Sequence, residues 1–98
     1  MIHEIRIDDS YANAIVEGRK NFEVRLNDRG YNAGDKVKFT AIKNYPHDEF
    51  VIRDHPLNKR IYNITYVYSG LGLKEGYVVF GIEPEIESEK EYGIDKNS

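Results

Sequence analysis

The sequence predicts an α+β domain: a curved, mainly antiparallel sheet that at this size tends to close into a small barrel, with one short helix packed on it. Three observations carry that prediction. Six segments show strand periodicity, the last four following one another at hairpin-like spacing. Helical spacing is confined to residues 9–17. Finally, 98 residues with 40% hydrophobic content suffice for one modest core.

The first strand is His3 to Ile7, with Ile5 and Ile7 directed inward and Glu4 and Arg6 outward. Asp8, Asp9 and Ser10 are N-cap candidates for the helix that follows, in which Tyr11, Ala14 and Ile15 recur at helical spacing. Gly18, after Glu17, suits the left-handed position that ends a helix. The second strand, Asn21 to Leu26, alternates Phe22, Val24 and Leu26 with Asn21, Glu23 and Arg25. The apolar trio is expected to face the core, leaving Glu23, Arg25 and Asn27 on the other surface. A polar loop with two glycines, Asn27 to Asp35, comes next.

From Lys36 to Lys43 a third strand alternates inward Val37, Phe39 and Ala41 with Lys36, Lys38 and Thr40, and Ile42 breaks the phase, as at a bulge or a strand end. Asn44 to Asp48 reads as a loop around Pro46, Glu49 to Arg53 as a strand and Asp54 to Asn58 as a turn. Lys59 to Ser69 is the longest β pattern, with Tyr62, Ile64, Tyr66 and Tyr68 on one face. These tyrosines are expected to wrap the core with their hydroxyls reaching solvent, the alternative being a base-stacking platform. The glycine-rich turn Ser69 to Gly76 lacks the spacing of a dinucleotide fingerprint. Tyr77 to Ile82 is nearly continuous apolar sequence, which predicts a strand buried on both faces. Pro84 ends it, so the folded domain is expected over residues 1–83 and a mobile acidic tail over 84–98, whose Ile86 and Tyr92 can dock only transiently.

Charge is distributed unevenly. The net charge is −3, but residues 83–98 hold six acids against two bases, leaving twelve bases and eleven acids in the remainder. Between Arg19 and Lys43 lie seven bases and three acids. That local excess permits contact with a polyanion, although it is far from the overall basicity of a charge-driven nucleic-acid binder. A solvated mixed-charge face explains it equally. The chain has no cysteine, which excludes disulfides and thiolate zinc sites. His3, His47 and His55 lack metal-ligand spacing, no serine sits in a nucleophile elbow, and no cofactor motif is present, so neither metal nor cofactor is expected. No apolar run is long enough to span a membrane and the N-terminus has no signal-like apolar stretch, so a cytoplasmic protein without membrane contact is expected.

The chemistry concentrates in Lys20 to Asp35. Lys20, Glu23 and Arg25 supply a cation, an acid/base group and an anion clamp, and the planar fork of Arg25 or Arg29 matches phosphate. Glu23 and Arg25, two apart on one strand face, sit roughly 6.5 to 7 Å apart at Cα, suited to pairing with one another or to holding one small polar ligand. The candidate nucleic-acid-binding residues are therefore Lys20, Glu23, Arg25, Asn27, Arg29 and Tyr31, with Asn27 reading a base edge and Tyr31 stacking.

The run Gly18-x-Lys20-x-x-Glu23-x-Arg25 resembles the signature of the ASCH superfamily. The longer pattern through Asn27-Asp28-Arg29, Tyr31 and Gly34-Asp35 is closer to a small ASCH-like domain of unknown function found in phages and bacteria. In that group the chain ends in a segment similar to Gly72-Leu73-Lys74-Glu75-Gly76-Tyr77-Val78-Val79, and His3-Glu4 also fits its opening. The resemblance covers residues 1–82 and implies a PUA-like β-barrel with one or two short helices. It further implies recognition of RNA or a nucleotide in a cleft beside this motif. Some ASCH relatives resemble hydrolases of RNA or of acylated nucleosides, in which a lysine and a threonine three apart act together. Lys20 matches the lysine, but Glu23 stands where the threonine would be, so a catalytic role implies a general base acting on water. Lys20 and Glu23 would fall on opposite faces of a regular strand, so a shared cleft requires Lys20 to lie in the irregular junction before it. Three readings result: an RNA- or nucleotide-binding module, a hydrolase using Lys20 and Glu23, or a phage accessory domain with a protein partner. A pocket holding both Lys20 and Glu23 favours the hydrolase, and a solvent-facing tyrosine stripe away from Glu23 favours the protein partner.

Overall fold

The computed structural model describes residues 1–85 and gathers six strands into one mixed sheet with a single α-helix. The acidic stretch expected to be mobile lies, apart from Pro84 and Glu85, outside the described residues. The strands are β1 (Ile2–Asp8), β2 (Phe22–Leu26), β3 (Lys36–Tyr45), β4 (Glu49–Ile52), β5 (Ile61–Tyr68) and β6 (Tyr77–Pro84), and α1 is Asp9–Val16. Their order is β1-β3-β5-β6-β2, with β4 branching from β3. Only β1 and β3 run parallel; every other pair is antiparallel.

The helix is capped as the sequence predicts. Asp8 accepts hydrogen bonds from the Ser10 backbone amide at 3.0 Å and the Ser10 hydroxyl at 2.5 Å, which hold its carboxyl below the ordinary range. Gly18 ends it at φ +80°. At Ile42, where the alternation breaks, β3 has left β5 and takes β4 as its partner. The turn after β4 tightens into a 3-10 turn, Pro56–Lys59, that drives Leu57 into the core. The core gathers Ile5 and Ile7, Ala12 and Ile15 of α1, Val37 and Phe39, Tyr62 and Ile64, and Val78, Phe80 and Ile82.

Three expectations are corrected. The apolar trio of β2 faces outward, with Phe22, Val24 and Leu26 each 42–49% exposed, whereas Glu23 is 4% exposed. Register explains the inversion. Glu23 pairs with Phe80 and Arg25 with Val78, and those β6 residues point to the core, so their partners point inward too. Second, the tyrosines of β5 do not share a face. A bulge between Ile64 and Tyr66 shifts the phase, leaving Tyr62 and Ile64 buried and Tyr66 and Tyr68 exposed. Third, β6 alternates: Val78, Phe80 and Ile82 are buried, but Tyr77, Val79 and Gly81 are only half-buried, because the outward face of β2–β6–β5 has no layer over it among the described residues.

The sheet curls without closing into a hydrogen-bonded barrel, since β1 and β2 occupy the two ends of its order and do not pair. Side chains bridge the gap. Arg25 of β2 donates from Nη2 to the Arg6 carbonyl of β1 at 2.8 Å, and Arg29 donates from Nη1 to the Glu4 carbonyl at 2.9 Å. Both carbonyls lie on the edge of β1 turned away from β3, because Met1, in the same phase as His3 and Ile5, directs its carbonyl to Lys36. The seam between the two end strands is the positioned feature of the fold.

Candidate functional site

Glu23 sits beside the seam, hydrogen-bonded to the Arg25 that bridges it. Lys20 reaches its Oε2 with Nζ, and Arg25 Nε donates to its Oε1 at 2.9 Å. Lys20 also donates to the Phe22 carbonyl at 2.7 Å. The parity difficulty is resolved as the sequence required. Lys20 precedes the first residue of β2, in a junction whose amide is drawn to the Ala14 carbonyl, so it approaches Glu23 from outside the strand's alternation. A buried carboxylate without partners would be costly, and here each oxygen meets a cation.

Two cavities flank this ion-pair cluster. One, of about 340 Å3, lies along the seam and is lined by Ile5, Arg6, Arg25, Asp28, Arg29 and Tyr31. Three guanidinium groups thus converge on one cavity with one carboxylate. Arg6 stacks over the Phe50 ring at 4.5 Å, and among the described residues neither Arg6 nor Arg29 forms a salt bridge. Each guanidinium carries five donors, of which Arg29 uses one on Glu4 and Arg25 two on Glu23 and Arg6, so donors remain for an anion. The other cavity, also about 340 Å3, is lined by Tyr11, Lys20, Phe22, Glu23 and Val24.

The loop that delivers Arg29 is fixed at several points. Asn27 Oδ1 accepts from the Tyr31 amide at 2.9 Å, Gly30 and Gly34 take φ of +69° and +95°, and Gly34 donates to the Ile64 carbonyl at 2.9 Å. Asp35 closes it, accepting from the Asn32 amide at 3.2 Å and meeting buried His3 Nε2 at 2.9 Å. The His3 contact, first among its causes, holds the Asp35 carboxyl below its ordinary value.

All six predicted residues therefore fall within one neighbourhood, but two have duties other than those expected. Tyr31 is 3% exposed and packed between His3 and Phe80, each ring centroid 4.7 Å away. Its ring is a core element and not a stacking platform, and burial pushes its phenol up from the ordinary value. Asn27 uses its carbonyl oxygen to fold the loop. Sequence reasoning missed Arg6 and Tyr11. Arg6 was legible only as an outward residue of β1; its place opposite Arg25 depends on the curl that brings the sheet's ends together. Tyr11 carried a signal, its place at helical spacing with Ala14 and Ile15, but that spacing gave it no role at a site, and it is 57% exposed.

Fold and site together define a small α+β domain whose curled sheet carries an arginine-lined seam. The chain belongs to the family described as Domain of unknown function (DUF3850), whose model matches residues 2–82. Among solved structures it is similar to the crystal structure of the hypothetical protein PH0355, at 20% identity over 87% of this chain and 100% of that one, with a TM-score of 0.54. That likeness concerns the fold. No curated protein matches the chain.

Proposed function

We propose that this chain is a cytoplasmic RNA- or nucleotide-binding module whose ligand phosphate lies in the seam between β1 and β2. The convergence of Arg6, Arg25 and Arg29 on one cavity is the observation that carries this reading. Guanidinium forks match phosphate oxygens in geometry and charge, and a phosphate there would replace the solvent around three cations of which, among the described residues, Arg25 alone has a carboxylate partner, Glu23. The resemblance to ASCH domains agrees with it: the curled sheet is read as a PUA-like barrel opened at one seam, with the seam as its cleft.

Binding of a short single-stranded oligoribonucleotide across a salt series tests the proposal. Affinity should fall with salt, and Arg6→Ala should weaken binding and flatten the log–log slope by about 0.7. Binding that ignores both salt and Arg6 would refute it.

A second reading, hydrolysis of RNA or of acylated nucleosides, is favoured by one observation: Lys20 and Glu23 line the same cavity. Against it, each Glu23 oxygen already accepts from a cation, an arrangement that suits a strut better than a base. Turnover of either substrate class that Glu23→Gln abolishes while sparing affinity would establish the hydrolase and displace the binding module.

A further inference from the structure

The cavity beside Lys20 differs in character from the seam. Its walls are the rings of Tyr11, from α1, and Phe22, from the start of β2, with Val24 beside them. Both rings are exposed, at 57% and 42%, although each is large enough to gain from burial. Lys20 Nζ lies 5.4 Å from the Tyr11 centroid and 5.0 Å from that of Phe22, so the ammonium sits between two aromatic rings on different elements. Exposed rings gathered around one cavity, with a few convergent polar groups at its floor, are the composition of a small-ligand pocket, and about 340 Å3 falls in the range of such pockets.

The polar floor narrows the ligand. Lys20 uses two of its three ammonium protons, on Glu23 Oε2 and the Phe22 carbonyl, which leaves one donor. Glu23 accepts one hydrogen bond at each oxygen and a carboxylate has further lone pairs. A donor thus stands next to an acceptor, the complement of a nucleobase edge on which a carbonyl or ring nitrogen adjoins an N–H group. Position supplies the rest. Glu23 lines the aromatic cavity, Arg25 lines the seam, and the two are joined by the 2.9 Å hydrogen bond, so the cavities share one wall. Phe22 faces outward and Arg25 inward, but β2 is the last strand in the sheet order, so its outer edge joins the two faces. Along that edge the residues are three positions, roughly 10 Å, apart.

We infer that this cavity is a base seat: a nucleobase stacks against Tyr11 and Phe22 over the Lys20–Glu23 pair, and its phosphate is directed along β2 into the arginine seam. The inference rests on the nucleotide-binding reading and assigns its ligand class, a phosphorylated nucleoside, either free or as a unit of single-stranded RNA.

Titration calorimetry with ribose 5-phosphate, the nucleoside 5′-monophosphates and a short oligoribonucleotide tests it, using the whole chain and the variants Tyr11→Ala and Phe22→Leu. At least one monophosphate, or the oligonucleotide, should bind more tightly than ribose 5-phosphate. Each substitution should weaken that binding by about 5- to 150-fold, the loss of one base–ring contact, without altering ribose 5-phosphate binding or the melting temperature. An effect on monophosphates assigns a free nucleotide, and an effect confined to the oligonucleotide assigns RNA. If ribose 5-phosphate binds as well as every nucleotide, or both variants bind nucleotides like the parent, the base seat is wrong and the arginine seam survives. If none of the three probes binds, both readings fall.

Discussion

Glu23 shows how one residue couples the sequence's most polar segment to the fold. It is buried because β6 dictates the phase of β2, and it is tolerated there because Lys20 and Arg25 each reach one of its oxygens. Removing the carboxylate leaves two cations facing each other with side chains 17% and 26% exposed. Glu23→Ala should therefore cost about 3 kcal/mol in denaturant unfolding, and Glu23→Gln, which keeps the shape and one acceptor, should cost less. Equal stability of Glu23→Ala and the parent would show the cluster to be dispensable to the fold. Asp35 makes a second residue-level prediction. Its carboxyl is held below 3.8, first by the bond from His3 and further by the Asn32 amide and the Met1 ammonium 3.7 Å away. A depressed folded-state value means its contribution to stability is present above the unfolded value and is lost as pH falls through the folded one. Asp35→Asn should therefore be less stable than the parent at neutral pH, and the gap should shrink as unfolding is measured below about pH 4. A gap that stays constant into acid would remove the charge from the explanation. That these residues matter was legible in the motif Lys20-x-x-Glu23-x-Arg25; which way they point was not, because the alternation of β2 reads the same with either face inward.

The element that most departs from its pattern is β5. Its sequence alternates without interruption from Tyr62 to Tyr68, yet the strand changes phase at Thr65. The cause lies on the neighbouring strand, where a Cβ at Gly81 would come 2.7 Å from Thr65 Oγ1 and 4.0 Å from the Asn21 carbonyl. Glycine opposite the bulge lets Thr65 lie over β6, and no reading of β5 alone reveals that. Gly81→Ala should destabilise the protein by about 1 to 3 kcal/mol through overpacking. Thr65→Ala, which deletes the opposing oxygen, should recover most of the loss in the double variant, as a thermal-unfolding cycle would show. Additive losses would mean the bulge has another origin. Elements whose signals are local fared differently: the Asp8 cap, the Gly18 stop and the inward trio Val37, Phe39 and Ala41 all stand where the sequence puts them. Strand existence was legible throughout, whereas facing depends on partners distant in sequence, such as Phe80 for Glu23.

Across the whole molecule, the decisive feature is that the ends of the sheet meet without pairing. Composition and size favoured closure, and the sheet does curl, but the contact between β1 and β2 is made by Arg25 and Arg29 and not by a strand ladder. A ladder would fill the gap with backbone; two arginine bridges leave room beside them for the seam cavity. Arg25 holds this arrangement by its shape as much as by its charge. Its Nε engages Glu23 while its Nη2 engages the Arg6 carbonyl, two acceptors that belong to different strands. A lysine has a single ammonium at the end of its stem and no second donor along it, so it can serve either acceptor but not hold this fork. Arg25→Lys should therefore lose one of the two bonds, about 1.5 to 3 kcal/mol if the bond to the Glu23 carboxylate is the one forfeited, despite keeping the charge, and Arg25→Ala, which loses both, should lose more. Arg6→Ala, whose side chain bridges nothing across the seam, should leave stability nearly unchanged while weakening oligoribonucleotide binding. If Arg25→Lys is instead as stable as the parent, charge alone holds the seam and the forked bridge is incidental. If Arg6→Ala destabilises as strongly as Arg25→Ala, the division between a stapling arginine and a ligand-facing one fails.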